Sequence, residues 1–313
     1  MENRLTGVYT ALVTPFKQDQ SFDEAAKRRL VDLQLEAGIA GVVPCGTTGE
    51  SACMTTDEWE RILSVVVEQV AGRVPVFAGT GSNYTGKAVD LSRRCARIGI
   101  DILLHVTPYY VKPTQRGMME HYRAITDAVD RPIVLYNVPG RTGVTLTPDT
   151  VLRLAENPRI IGIKQAVADL DQVSAILQSR PPRFAVLSGE DSLTLPMVAL
   201  GADGVISVVS NEVPVSFTAM VRAALEGRRE EAASLHRQLF PLMKANFVES
   251  NPIPVKYALA QMGLVENVFR LPMTPLADAY HDEVKAALRQ ARAVETAAIL
   301  RRSSAAAPAP VVV

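Results

Sequence analysis

One lysine closes an apolar run in the segment IIGIKQAVADL, residues 160–170, and its amine is the most reactive group that the sequence offers. A lysine at the end of a buried strand is removed from water, which disfavours the charged ammonium. A neutral amine can attack a ketone to form a Schiff base, whose iminium then acts as an electron sink for carbanion chemistry. The alternative is that Lys164 extends to the rim and pairs with a carboxylate such as Glu190.

Other groups suited to this chemistry follow further apolar runs. The segment GTTGES (46–51) places glycines around adjacent hydroxyls, which suits either a turn whose N–H groups face an anion or a simple strand-to-helix connection. Tyr110 and Tyr136 could form a hydroxyl relay with Thr47 for the protons that carbinolamine formation must move, although aromatic residues at such positions also pack or form interfaces. Arg141, in a Pro-Gly-Arg turn, is suited to bidentate carboxylate binding.

Eight short apolar runs precede or contain these residues and alternate with segments of helical periodicity. Most runs are continuously apolar, as expected of parallel strands covered on both faces. The repeats predict an α/β fold, a (β/α)8 TIM barrel, with its catalytic groups at the carboxyl ends of the strands. An open doubly wound sheet is the alternative, but the GxGxxG turn typical of it is absent. The runs are 7–16, 41–45, 75–81, 101–108, 132–139, 160–166, 184–190 and 204–210.

Helical patterns dominate the rest of the chain. The segment 55–72 carries apolar residues on one stripe, and Thr55 with Glu58 three residues later resembles a capping box. After residue 210 the pattern is helical throughout. We predict a catalytic barrel over residues 1–227, a C-terminal helical layer over residues 228–302, and a disordered tail of small residues and prolines over residues 303–313.

The composition indicates a protein that acts on small molecules. The chain has 313 residues and is 48% hydrophobic, enough for a substantial core, and its 33 basic residues balance 33 acidic ones, which argues against nucleic-acid or membrane partners. The three cysteines have no CxxC spacing, and no signal segment or long apolar span is present, so we expect a cytoplasmic protein. The four histidines are scattered without an HExxH motif, so no metal site is expected.

Nine motifs together resemble a known family. ALVTPF, GTTGES, VTPYYVKPTQRG, LYNVPGRTG, IIGIKQA, LSGED, GVISV, NPIPVKYAL and RLPMTP occur in this order between about Gly7 and Leu276. The sequence resembles the dihydrodipicolinate synthase family, within the N-acetylneuraminate lyase superfamily of lysine-dependent class I aldolases. The resemblance implies condensation of pyruvate with aspartate semialdehyde for diaminopimelate and lysine biosynthesis, without a metal or organic cofactor.

The resemblance also implies the roles of the catalytic residues. Lys164 would form the Schiff base with pyruvate, and Tyr136 beside it would transfer protons as acid and base. Thr47 and Tyr110 would complete the hydroxyl relay. In the family this second tyrosine crosses a tight dimer into the neighbouring subunit's site, which implies a homodimer or a homotetramer.

Substrate contacts follow from the same resemblance. Thr48, together with Thr47, falls where the family binds the carboxylate of pyruvate. Arg141 matches the residue that holds the carboxylate of aspartate semialdehyde. Gly189 and Ile206 match backbone positions that line the pocket.

A regulatory site is only partly matched. Ser51, Asn83 and Tyr109 agree with the lysine-inhibited relatives, whereas Thr56 and Lys87 stand where those relatives carry a histidine and a glutamate. A cation at Lys87 would repel the ammonium of the inhibitor. We therefore expect weak or absent inhibition by lysine.

The chain departs from the usual family pattern at Gln165 and Val167, and these two departures bear on substrate positioning.

Two alternative functions stay open from the sequence. A Schiff-base lyase or aldolase for sialic acid or keto-deoxy sugar acids would share Lys164, although sialic acid lyases typically lack the arginine that Arg141 matches. The other alternative is a non-catalytic paralogue that only binds keto acids.

Overall fold

The structure is a computed structural model that describes residues 4–306, in which eight parallel strands form one sheet. Their order is β2-β1-β8-β7-β6-β5-β4-β3, and a parallel bridge between Val42 and Val76 joins the two edge strands. The Val42 N–H also donates to the Pro75 carbonyl at 3.2 Å. The predicted (β/α)8 TIM barrel is thereby confirmed. The strands are β1 (Gly7–Ala11), β2 (Gly41–Val43), β3 (Phe77–Gly79), β4 (Ile102–Val106), β5 (Ile133–Asn137), β6 (Ile160–Gln165), β7 (Ala185–Ser188) and β8 (Gly204–Ser207).

Helices follow every strand and continue past the barrel. The predicted capping box is present, because the Glu58 N–H donates to the Thr55 hydroxyl and the Thr55 N–H donates to the Glu58 carboxylate, both at 3.2 Å. None of the helices in residues 4–306 is both long and apolar enough to span a membrane. The helices are α1 (Glu24–Ala37), α2 (Thr56–Val70), α3 (Thr85–Ile98), α4 (Gln115–Ala128), α5 (Pro139–Thr142), α6 (Pro148–Ala155), α7 (Leu170–Ser179), α8 (Thr194–Ala199), α9 (Pro214–Leu225), α10 (Arg229–Ala245), α11 (Ile253–Gln261) and α12 (His281–Ala306).

Alternate residues of each strand contribute to two separate apolar clusters. In β5, Val134 and Tyr136 belong to the cluster inside the barrel, whereas Ile133 and Leu135 belong to the cluster between the strands and the helices. This alternation is the two-residue period of a β-strand. Lys164 of β6 is paired in register with Tyr136 of β5, so the two side chains share the inner face of the sheet.

The C-terminal helices α10 to α12 pack against the barrel rather than standing apart. A single apolar cluster joins Val205 of β8 and Phe217 of α9 to Leu239 of α10, Tyr257 of α11 and Val284 of α12. Helix α12 continues past the predicted limit at residue 302 to residue 306, and residues 307–313 of the predicted tail lie outside the described part of the chain. The proposed division at residues 227 and 228 stays a prediction.

A buried ion pair connects this C-terminal layer to the GTTGES turn. Lys256 Nζ of α11 lies 2.6 Å from Glu50 Oε1, and both side chains are excluded from solvent. The ammonium also donates to the Val268 carbonyl at 2.7 Å and lies over the rings of Phe16 and Phe269, 4.6 and 4.5 Å from their centroids. Desolvation lowers the pKa of Lys256 and raises that of Glu50. Burial of either charge alone would therefore be unfavourable, and the two charges stabilise each other in the core.

Replacement of Lys256 tests this interaction. Lys256→Met removes the ion-pair partner of the buried Glu50 carboxylate, and we expect a loss of about 3–5 kcal/mol in the free energy of unfolding, measured by urea denaturation. The double substitution Glu50→Gln/Lys256→Met should recover most of that loss. Arg123→Met, which removes an exposed pair with Asp127, is the matched control and should change stability by less than about 1 kcal/mol. Equal effects for Lys256→Met and Arg123→Met would contradict this interpretation.

Candidate active site

Lys164 lies at the carboxyl end of β6 with its amine over the ring of Tyr136. Its side chain is only 6% exposed, and Nζ lies 4.4 Å from the centroid of the tyrosine ring. Within residues 4–306 no carboxylate forms an ion pair with Lys164, and Glu190 instead accepts a hydrogen bond from Ser192. The alternative of a rim lysine paired with Glu190 is therefore not observed. The amine is therefore shielded from solvent and, within the described residues, is not held by a carboxylate.

A cavity of about 80 Å³ brings the candidate residues of three strand ends together. One water molecule occupies about 30 Å³ in the liquid, so this volume suits a ligand of a few heavy atoms. Thr47 and Thr48 come from the turn after β2, Tyr136 from β5 and Lys164 from β6. The other lining residues are Ala11, Val43, Cys45, Gly46, Ser51, Gly79, Gly81, Leu104 and Val106.

The GTTGES turn presents unused backbone donors beside this cavity. The Gly49 and Ser51 N–H groups bond to the Gly46 carbonyl at 3.1 and 3.4 Å, which closes the turn. Gly49 is required there, because a Cβ atom would lie 2.8 Å from a backbone nitrogen. In the described residues, neither Thr47 N–H nor Thr48 N–H donates to a protein acceptor. Successive free N–H groups in a tight turn form an anion site, so the turn suits a carboxylate.

Tyr110 is not part of the assembled cavity. Its side chain is 88% exposed, and its backbone has the left-handed value φ +71°, held by an N–H bond to the Thr142 carbonyl at 3.4 Å. No hydrogen bond joins the hydroxyls of Thr47, Tyr136 and Tyr110 anywhere in residues 4–306. One chain therefore brings Thr47 and Tyr136 together but leaves Tyr110 pointing outward.

A second cavity of about 360 Å³ adjoins the first and contains the arginine. Arg141 is exposed, and its guanidinium donates to the Asn251 carbonyl at 3.3 Å. Of the residues predicted for regulation, Ser51, Tyr109, Thr56 and Lys87 line this cavity, while Asn83 is half-buried and does not. The two cavities share Thr47, Ser51, Gly79, Gly81 and Val106.

Gly189 and Ile206 differ in their relation to the lysine. A Cβ atom on Gly189 would lie 3.0 Å from Lys164 Cε and 2.7 Å from Ala166 Cβ, so this glycine directly borders the lysine. Ile206 is buried in the apolar cluster inside the barrel. The unusual Gln165 is also buried, but its amide donates to Gln172 of α7 at 3.0 Å, so it faces away from the cavity. Val167, the other departure, packs on the apolar cluster outside the barrel.

Two histidines are packing residues rather than ligands. His105 Nε2 is bonded to the Thr80 hydroxyl at 2.8 Å, and His121 Nδ1 to the Thr85 hydroxyl at 2.9 Å. Burial lowers the pKa of His105 to about 3 and that of His121 to about 4, so both are neutral near pH 7. In the part of the chain that the structure describes, no three His, Cys, Asp or Glu side chains are grouped to hold a metal ion.

Asn251 is a site residue that the sequence analysis missed. Its side-chain amide donates to the Thr48 hydroxyl at 3.0 Å, and its backbone carbonyl accepts from Arg141. It lies in the motif NPIPVKYAL, which carried the family resemblance without an assigned function. No local periodicity reveals a contact between residues 203 positions apart.

Comparisons with known proteins agree with this architecture. The profile of the Dihydrodipicolinate synthetase family matches residues 4–291. The 4-hydroxy-tetrahydrodipicolinate synthase of Koribacter versatilis is 50% identical over 274 residues, which cover 87% of this chain and 91% of that protein. The structure of the 4-hydroxy-tetrahydrodipicolinate synthase from Methylacidiphilum fumariolicum superposes with a TM-score of 0.92 at 42% identity, covering 94% of this chain and 98% of the other.

A ligand-bound structure is also similar. The chloride-inhibited dihydrodipicolinate synthase from Acinetobacter baumannii, complexed with pyruvate, superposes with a TM-score of 0.90 at 41% identity and covers 92% of this chain and 99% of its own.

The fold and the cavity define a (β/α)8-barrel protein with a small-molecule site at the carboxyl ends of its strands. The chain belongs to the dihydrodipicolinate synthetase family.

Gly189 offers a test of how closely the lysine is positioned. Gly189→Ala should displace the Lys164 side chain, and because a misplacement of about 1 Å can reduce a rate on the order of 10²-fold, we expect kcat to fall at least about tenfold. Gly140→Ala is the matched control, since a Cβ atom there meets nothing within 4 Å. Steady-state kinetics of both variants check this. A Gly189→Ala enzyme with unchanged kcat would show that the close contact does not matter.

Proposed function

We propose that the protein is a 4-hydroxy-tetrahydrodipicolinate synthase that condenses pyruvate with L-aspartate 4-semialdehyde through a Schiff base on Lys164. The observation that carries this proposal is the buried, carboxylate-free Lys164 amine, which shares one small cavity with Tyr136 and the Thr47–Thr48 turn. Family membership and the names of the close relatives support the choice of substrates.

The first half of the reaction uses the smaller cavity. The carboxylate of pyruvate accepts hydrogen bonds from the free N–H groups of the Thr47–Thr48 turn, which places its ketone carbon beside Lys164. The Lys164 amine attacks this carbon to give a carbinolamine, which loses its hydroxyl as water to leave the iminium. Tyr136 and Thr47 transfer the protons that these steps require. Loss of a proton from the methyl carbon then converts the iminium to an enamine.

The second half joins the two substrates. Arg141 holds the carboxylate of aspartate semialdehyde in the adjoining cavity, and the enamine carbon attacks the aldehyde carbon to form the new C–C bond while the aldehyde oxygen takes up a proton. The amino group of the semialdehyde portion then attacks the iminium carbon. The bond to Lys164 breaks, the ring closes, and the free amine is regenerated. The lysine iminium is the electron sink, so these reaction steps need no metal or organic cofactor.

Tyr110 completes the relay in an assembled protein. Its side chain is exposed and its backbone has a left-handed φ in the loop after β4, and the family resemblance assigns the corresponding tyrosine to the site of a neighbouring subunit. We infer a homodimer, or a homotetramer made of such dimers, acting in the cytoplasm on small molecules without nucleic-acid or membrane partners.

Turnover assays test the proposal directly. The purified protein should convert pyruvate and aspartate semialdehyde to the cyclic product, identified by mass spectrometry, and should not cleave sialic acid or keto-deoxy sugar acids. Arg141→Met should raise KM for aspartate semialdehyde by roughly ten- to a hundredfold, the value of a charge-assisted hydrogen bond, and leave KM for pyruvate nearly unchanged. Preferential cleavage of a sugar acid would contradict the proposal, and binding without turnover would indicate the non-catalytic alternative.

Inhibition by lysine should be weak or absent. Lys87 lines the larger cavity, where its positive charge repels the ammonium of a lysine ligand, and Thr56 lacks the imidazole that the lysine-inhibited relatives carry at this position. We expect no inhibition at submillimolar lysine, and we expect Thr56→His/Lys87→Glu to increase sensitivity. Strong inhibition of the unmodified enzyme in this range would refute the charge argument.

A further inference from the structure

We propose that Asn251 is a positioning residue that keeps the proton of the Thr48 hydroxyl available to the carboxylate of pyruvate. This inference rests on the proposed function. Asn251 precedes α11 in the C-terminal layer, is 5% exposed, and forms part of the wall of the larger cavity. It touches both substrate sites, through Thr48 on one side and Arg141 on the other.

The direction of one hydrogen bond carries the argument. Asn251 Nδ2 donates to Thr48 Oγ1 at 3.0 Å, so the threonine oxygen is the acceptor. A hydroxyl has a single proton, and here that proton is not used in the contact with Asn251. The Thr48 hydroxyl can therefore donate to a bound carboxylate while its own position is held by the amide. The reverse orientation of the amide would take the proton for Asn251 instead.

A second observation supports this assignment. Among the described residues, Asn251 Oδ1 is buried and has no hydrogen-bond partner, so it does not take the Thr48 proton. Thr48 lines the smaller cavity, so its hydroxyl can donate into that cavity.

The Lys256–Glu50 ion pair keeps this contact in register. Glu50 follows the Thr47–Thr48 turn by two residues, and Lys256 lies in the same C-terminal segment as Asn251. The segment is thereby fastened to the turn at two points. A change in the Asn251 side chain leaves the ion pair and the backbone contact to Arg141 in place. Side-chain variants of Asn251 therefore isolate the contact to Thr48.

Two substitutions of Asn251 distinguish the positioning role from a purely structural one. Asn251→Ala removes the donor and should raise KM for pyruvate about five- to tenfold, whereas KM for aspartate semialdehyde should stay within about twofold because the backbone carbonyl is retained. Asn251→Asp is nearly isosteric but offers only acceptors, so it should draw the Thr48 proton away from the substrate and raise KM for pyruvate further than alanine does.

The experiment measures KM for each substrate, together with the pyruvate concentration that gives half-maximal borohydride trapping of the Lys164 adduct. Asn267→Ala is the matched control, because Asn267 lies in the same layer and also has a buried, unpaired Oδ1, and neither KM should change. In a Thr48→Val background, Asn251→Ala should have no additional effect on KM for pyruvate.

The outcomes separate this inference from the function beneath it. The positioning role alone is overturned if the wild-type enzyme is active and both Asn251 variants leave KM for pyruvate unchanged or shift both KM values equally. It is also overturned if Asn251→Ala raises KM for pyruvate more than Asn251→Asp does. A wild-type protein that forms no pyruvate adduct overturns the proposed function and this inference together.

Discussion

The active-site architecture depends on keeping one amine out of water without giving it a carboxylate partner. The inside of a closed barrel does this, because alternate strand residues fill it with apolar side chains and only the open end admits a ligand. Lys164 enters that interior at the end of β6, over the ring of Tyr136. A surface lysine would be solvated, and a paired one would be held by its carboxylate rather than presented to a ligand. The site therefore follows from the fold and from the absence of an ion pair at Lys164 within residues 4–306.

The GTTGES turn, which we propose binds the carboxylate of pyruvate, is stabilised from outside the barrel. Helices α10 to α12 share an apolar cluster with β8 and α9. Lys256 of α11 and Asn251, just before α11, each make a buried polar contact with the GTTGES turn. The ion pair of Lys256 with Glu50 is a costly contact to bury, so its position beside the turn argues for precise placement rather than for stability alone. The C-terminal layer is thus joined to the turn that we propose binds substrate.

The sequence predicted the strands and the position of Lys164 at the end of a buried strand because those signals are local. Continuous apolar runs gave all eight strands, and the Thr55 capping box gave the start of α2, since both depend on residues close in the chain. Asn251 and its bond to Thr48 were missed because no local pattern encodes a contact over 203 positions. The outward position of Tyr110 was likewise not readable from residue type, because it depends on a left-handed backbone in the loop after β4.

Trapping of the covalent intermediate is the decisive experiment for the role of Lys164. The protein is incubated with pyruvate, reduced with borohydride, digested, and analysed by mass spectrometry. We expect a reduced pyruvyl adduct on the peptide that contains Lys164. In Lys164→Ala, both the adduct and turnover should be lost. An adduct on any other residue, or full turnover by Lys164→Ala, would contradict it.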